Sequence, residues 1–389
     1  MSVYHQMGHH SNNLVDLPEM SAFAGAIFSP INAGIEEVKE QIALGRQTRG
    51  QFENILDPQL YVPASERGHL KEWAYYPKDV DTADLTSSAW WSALNEKLTR
   101  ACESLGLDSL CSPTVIPKVF DDKYYTRTVQ VGSELAAHHR DTKTGVLQTA
   151  LVNLPELADA NRPLELASII SRTKAERIYL IFVGTTEPRR ELNQADELVG
   201  AMRLIYALET NGVPVIVGFC SSDVLLWKAA GASSCASGKF FNLRRFTRQR
   251  FEEPTATGGG QLPYWFEEAL TAFLRQGDLI RVHRAGLIGE ASNRNPFCQQ
   301  ILEILEEAAR THTPPKAWLA ISWRQFLYWF ADVEDRLKRG NANVETILRA
   351  ADAYWSKLDK AKILLEERFN DGTWIRIWLN ALNEFMSIR

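Results

Sequence analysis

Apolar, often β-branched runs alternate along the chain with stretches whose apolar residues fall at helical spacing. AFAGAIFSP (Ala22–Pro30) reads as a buried strand. In Gly34–Leu44 the positions Ile35, Val38 and Ile42 share one helical face, with Gly45 placed to end it. FENILDPQLY (Phe52–Tyr61) is the next strand, followed by a stretch rich in Trp and Tyr and a helix over Ala89–Leu107. LCSPTVIP (Leu110–Pro117), a helix over Asp121–His139, GVLQTALVNL (Gly145–Leu154) and a helix over Pro163–Lys174 come next. RIYLIFVG (Arg177–Gly184) is the clearest strand. Then follow a helix over Asn193–Thr210, VPVIVGF (Val213–Phe219), a short helix over Asp223–Ala230 and a strand over Ala232–Gly238.

These strands are continuously apolar rather than alternating, as parallel strands covered by helices are. The alternation predicts an α/β fold with a parallel sheet. A closed barrel and an open doubly wound sheet both fit. No glycine-rich dinucleotide fingerprint follows the first strand and several strands end in polar groups, which favours a (β/α)8 TIM-type barrel. Pro254 with Gly258–Gly260 marks a loop, Tyr264–Arg275 reads as a helix, and Leu279–His283 reads as the eighth strand.

Beyond residue 290 the pattern changes to long helical periods: Pro296–Thr311, Ala317–Arg339, Val344–Arg368 and Trp374–Ile388. The expected organisation is a flexible leader over 1–20, a barrel over 21–289 and a C-terminal all-α module over 290–389. Trp318, Trp323, Trp329, Trp355, Trp374 and Trp378 are expected to pack the module internally or against the barrel, or to offer a stacking surface.

Composition narrows the picture. The 389 residues are 45% hydrophobic and 23% charged, with a formal net charge of −5, so the whole molecule is not an electrostatic glove for nucleic acid. Five cysteines without a CxxC pair give neither a disulfide framework nor a zinc ribbon, and no metal or cofactor is expected. No apolar run is long enough to span a membrane, and no secretory leader is read, so the expected compartment is the cytoplasm.

In a barrel, functional groups occupy the C-terminal strand ends. Asp57 follows an apolar strand and precedes a proline, which restricts its backbone towards extended geometry. A carboxylate there can orient a base or move a proton, or it can close the strand as an Asx-type turn. Gln59 carries the donors and acceptor that suit a planar amide or base edge, and Asn32 ends the first strand as a further substrate-binding candidate. Glu187 suits a ligand contact or an ion pair with Arg189 or Arg190. SGKFFNLRRFTRQR (Ser237–Arg250) carries five positive charges. Lys239, Arg244 and Arg245 are its candidates for clamping phosphate or a nucleic-acid backbone, with a solvated basic loop as the alternative.

From the fifth predicted strand onward, the order of features resembles the tRNA-guanine transglycosylase superfamily. YLIFVGTTEP (Tyr179–Pro188) is similar to that family's strand ending in Gly-Glu-Pro, and PVIVGFCSSDVLLWKAAGASSCASG (Pro214–Gly238) to its next strand, helix and strand. Asp57 falls where the family has an aspartate followed by Ser-Gly-Gly. The run Gly231–Ala236 lacks the family's nucleophilic aspartate, the zinc signature of three cysteines and a histidine is missing, and Pro58 and Gln59 replace the glycines. The resemblance therefore implies a divergent transglycosylase-like barrel acting in nucleobase or nucleic-acid modification, catalytic or not. The alternative is a scaffold or partner subunit of a larger complex that binds a protein through its C-terminal module. A mouth in which Asp57 faces Lys239 and Arg244 favours the first. A mouth plugged by Trp73, Tyr75 and Tyr76 favours the second.

Overall fold

Eight parallel strands close into one barrel: β1 (Val3–Gln6), β2 (Phe23–Phe28), β3 (Glu53–Leu56), β4 (Ser109–Cys111), β5 (Gly145–Asn153), β6 (Arg177–Val183), β7 (Val215–Val217) and β8 (Ser234–Ser237). The structure is a computed structural model that describes residues 3–9, 11, 14–252 and 261–389. The loop expected at Pro254 and Gly258–Gly260 lies outside the described residues.

The helices of the barrel half are α1 (Ile35–Arg49), α2 (Thr82–Thr86), α3 (Ser88–Leu105), α4 (Asp122–His138), α5 (Arg162–Ile170), α6 (Ala195–Thr210) and α7 (Val224–Ala229). Most match the periodic stretches, but α2 is not among those expected and α1 runs through Gly45, which is buried in it, to end at Gly50 with φ 61°. The other ends are also set by local chemistry. Asp121 caps α4 by accepting the Tyr124 N–H at 2.8 Å, and Gly106 ends α3 in the left-handed conformation. Gly200 lets α6 lie on the turn after β5; a Cβ there would stand 1.9 Å from the Leu157 carbonyl oxygen.

Two expectations about closure are corrected. The segment read as a flexible leader supplies β1, which pairs with β2 on one side and β8 on the other. Leu279–His283 is not the eighth strand but part of α8 (Gln276–Arg284), with Leu279 and Val282 buried on one face. With β1 between β2 and β8, the ladder has no vacant position for another strand. Tyr264–Arg275 is likewise no helix. It forms an antiparallel hairpin of β9 (Trp265–Glu267) and β10 (Ala272–Leu274), both buried along their whole length.

The remaining helices are α9 (Pro296–Thr311), α10 (Leu319–Lys338), α11 (Val344–Lys360) and α12 (Thr373–Ile388). α11 ends eight residues before its predicted end, where Ile363 N–H returns to the Leu358 carbonyl and Lys362 takes a positive φ. Among the described residues no α-helix separates β1 from β2, and α10 packs against β1, α7 and the short turn at Pro18–Met20. α12 lies on α6, and both α11 and α12 touch α7. One apolar cluster consequently runs from the outer face of the barrel through these helices. Trp318, Trp329, Trp355, Trp374 and Trp378 are all buried in it. The Trp378 indole donates to the Leu192 carbonyl at 2.7 Å, and Trp355 to the Leu270 carbonyl at 3.0 Å. Among the described residues no helix is long and apolar enough to cross a membrane.

Candidate functional site

The interior of the barrel is polar at both ends. At the N-terminal end the Glu53 carboxylate accepts from Tyr4 at 2.6 Å, from Arg177 Nη1 at 3.0 Å and from Ser109. Burial alone would raise the Glu53 carboxyl, but the hydrogen bonds and charge of Arg177 outweigh it and hold the group below its usual value. Gln6 bridges further up, donating to Tyr179 Oη at 2.9 Å and accepting the Phe219 N–H at 2.6 Å.

Asp57 sits at the C-terminal end, one residue beyond β3 and fully buried. Its backbone N–H continues the ladder to the Phe28 carbonyl at 3.1 Å. Its Oδ1 accepts the Gln59 N–H at 3.1 Å, so the Asx-type turn is present. Tyr61 donates its phenol proton across both carboxylate oxygens, 2.9 Å from each. Burial pushes the Asp57 carboxyl from 3.8 up to about 7, against the pull of Tyr61, Gln59 and the Arg250 guanidinium. Burial also lowers Arg250, to about 10, while Asp57 pulls it the other way.

Gln59 and Asn32 belong to the same network, joined at Ser29. Ser29 Oγ donates to Gln59 Oε1 at 2.8 Å and accepts from Asn32 Nδ2 at 2.8 Å and from Arg250 Nη2 at 3.3 Å. Gln59 also accepts the Ile31 N–H at 3.2 Å, and its backbone is left-handed at φ 53°. Three of the four acid and substrate candidates are therefore neighbours at the top of β1–β3. Glu187 is not among them: it is exposed after β6 and pairs with Arg190 at 3.3 Å.

The basic residues after β8 do not form a common anion cradle. The Lys239 amino group donates to the His9 carbonyl and lies 4.4 Å from the Trp323 ring, and burial lowers it to about 8. Arg244 donates to the Gly238 and Lys239 carbonyls at 2.9 and 3.0 Å with the Phe326 ring 3.7 Å away, pinning the barrel to α10. Arg245 donates to Asp223 at 2.9 Å and faces Glu191 at 3.6 Å. Burial pushes the Glu191 carboxyl up to about 7.

Asp57 thus faces Tyr61 and Arg250, not Lys239 and Arg244. Trp73, Tyr75 and Tyr76 are buried and donate to the Ala33, Pro58 and Val62 carbonyls. Rings from the turn after β8 pack on Tyr61. Phe246 and Phe251 stand edge-on to Tyr61, each 5.1 Å away, and Phe246 is also 5.1 Å from Phe219. The sequence places Tyr61 at a strand end and Arg250 in the basic stretch but assigns neither a role. Tyr61 lies four residues past Asp57, but the partnership of residues 57 and 250 has no local signal. Among the described residues, no group of three or more His, Cys, Asp or Glu is arranged to hold a metal ion.

No protein-family model matches the chain, and no curated protein matches it in sequence. Solved structures that it is similar to include an L-ribulose 3-epimerase, at 10% identity over 88% of this chain and 97% of that one with a TM-score of 0.40. The type I 3-dehydroquinate dehydratase of Clostridium difficile matches at 9% identity over 64% of this chain and 88% of that one, with a TM-score of 0.37. The dihydrodipicolinate synthase of Oceanobacillus iheyensis matches at 13% identity over 100% and 96%, with a TM-score of 0.34.

Proposed function

We propose that the chain acts on a nucleobase or nucleic acid at the C-terminal face of its barrel, with Asp57 as the group that holds or moves a proton. The observation that carries this reading is the Asp57 carboxyl itself. It is buried at a strand end, is pushed to about 7, and accepts the Tyr61 phenol proton under the pull of the Arg250 charge. A carboxyl near neutrality can both take and give a proton at physiological pH, which suits acid–base work on a ring nitrogen. Gln59 and Asn32 adjoin it as the amide groups that would meet a base edge, with Ser29 between them. The resemblance of Tyr179–Pro188 and Pro214–Gly238 to the transglycosylase superfamily supports the substrate class. Five free cysteines, all buried, suit a reducing compartment such as the cytoplasm.

A non-catalytic reading has its own support: Phe246 and Phe251 occupy the space above Tyr61, so a base would enter only if their turn moved. In that reading the barrel is a partner subunit. Most tryptophans of the helical module are internal, which leaves exposed Phe369, Met386 and Ile388 to meet a protein.

One titration separates the two. Labelled RNA is added to the full chain and to Asp57→Asn at low and moderate salt, and incorporation of free labelled base is followed in parallel. The enzyme reading expects affinity to fall by about tenfold or more as salt rises from about 50 to about 200 mM, and base incorporation that Asp57→Asn abolishes without unfolding. Salt-dependent binding that Asp57→Asn leaves intact, with no base incorporation by either protein, supports the non-catalytic reading. Absent or salt-independent binding overturns the nucleic-acid assignment.

A further inference from the structure

We propose that the cleft beyond β4 is a binding site for a small phosphorylated aromatic molecule of the nucleotide class, distinct from the Asp57 centre. The cleft has a volume of 510 Å³, within the range of small-molecule sites of about 300–1,000 Å³. It opens on the C-terminal side of the barrel, because Pro113–Lys118 leaves β4 there.

The walls and the rim differ in chemistry. Leu85, Trp91, Pro113, Ile116 and Val131 give an apolar slot. Around it stand Lys118, Lys123, Arg127 and Arg248, all exposed at their heads. Lys118 and Lys123 make no ion pair among the described residues. Arg127 donates one bond to the Leu85 carbonyl at 3.2 Å, and Arg248 pairs with Glu252 at 2.8 Å. Among the described lining residues Asp121 is the one carboxylate, and it is committed to the Tyr124 N–H as the cap of α4. An apolar slot with a surplus of cations at its mouth selects a ligand with a flat apolar body and an anionic end.

The polar groups of the floor fit the same ligand. Thr114 Oγ1 and Tyr124 Oη share one hydrogen bond of 3.1 Å in which either oxygen can be the donor. One of the two hydroxyl protons therefore remains to meet a ring or sugar acceptor. Burial pushes the Tyr124 phenol up to about 12, so it stays a donor. The volume accommodates one nucleotide rather than a strand of nucleic acid. The Ile116 N–H bonds the Tyr61 carbonyl at 2.9 Å, which ties the cleft to the loop that carries the partner of Asp57.

The test is calorimetric titration of the full chain with adenosine monophosphate, adenosine and inorganic phosphate. Adenosine monophosphate is expected to bind with a dissociation constant below about 1 mM and at least about tenfold tighter than either fragment. The double variant Lys118→Glu, Lys123→Glu changes two exposed side chains, so it should keep the wild-type melting temperature and lose about tenfold or more in affinity. Asp57→Asn should bind as the wild type does. The proposal is overturned by absent binding, by phosphate binding as tightly as the nucleotide, or by a double variant with unchanged affinity. Loss of binding in Asp57→Asn would put the ligand in the barrel mouth instead. RNA binding that excess adenosine monophosphate fails to displace bears on the proposed function and leaves the cleft assignment to the calorimetry.

Discussion

Tyr61 donates to both carboxylate oxygens of Asp57 at 2.9 Å from four residues along the same loop, a bond that favours the charged carboxylate and that burial outweighs. The Asp57 carboxyl lies near 7 in the folded chain against 3.8 as its ordinary value. Between those values the folded state keeps a proton that the unfolded state has released, so stability falls as pH rises through this window. Asp57→Asn removes the titration. Relative to wild type, it should gain about 3 kcal/mol in urea unfolding free energy between about pH 5 and about pH 8. A difference that stays flat with pH would show that the carboxyl is not shifted.

Glu53 and Arg177 form a two-pronged ion pair at the other end of the barrel, with Tyr4 and Ser109 using the remaining acceptor sites. Arg177→Ala leaves Glu53 without its counter-charge among buried groups and should cost about 3–5 kcal/mol by chemical denaturation. The folded Glu53 carboxyl is lowered, so its contribution is present above the usual glutamate value and is lost as pH falls through the folded one. The Arg177→Ala penalty should therefore shrink in acid.

Arg244 spends its guanidinium on two carbonyls and on the rings of Phe326 and Phe273. Arg244→Ala should destabilise by about 3 kcal/mol, and Arg244→Lys should recover little because an ammonium lacks the planar guanidinium that lies against the Phe326 and Phe273 rings. If Arg244 contacts phosphate instead, both variants would melt as the wild type does and lose RNA affinity.

Removal of residues 290–389 uncovers β1, α6 and α7, which α10 and α12 cover in the full chain. The Trp378 bond to Leu192 and the shared apolar cluster would be lost with it. The truncated chain is expected to aggregate or to be cleaved rapidly in limited proteolysis, whereas an independent barrel would survive as a resistant fragment.

Gly200 offers a test with opposite signs. A glycine in mid-helix normally gains about 1 kcal/mol on replacement by alanine. Here the new methyl would meet the Leu157 carbonyl, so Gly200→Ala should lower the melting temperature instead.

The sequence by itself determined the parallel α/β architecture, most of the strand order and the position of Asp57, Gln59 and Asn32 at strand ends. Those features are written in short continuous apolar runs, in helical periods of 3.6 residues and in the Asp-Pro step, all of which act over a few positions. Pro296–Thr311 was legible to the residue because Asn295 caps it and Pro296 opens it. The tertiary structure alone decided what closes the barrel. Val3–Gln6 carries two polar residues and reads as a strand only once Gln6 meets Tyr179 and Phe219, 173 and 213 residues away. It also decided the fate of the charges after β8, where Arg244 and Arg245 turn inward while Arg248 reaches the rim of a cleft built by β4 and α4. Burial and pairing between distant segments fix which charge is spent on the fold and which stays exposed. No local pattern in the chain encodes that choice.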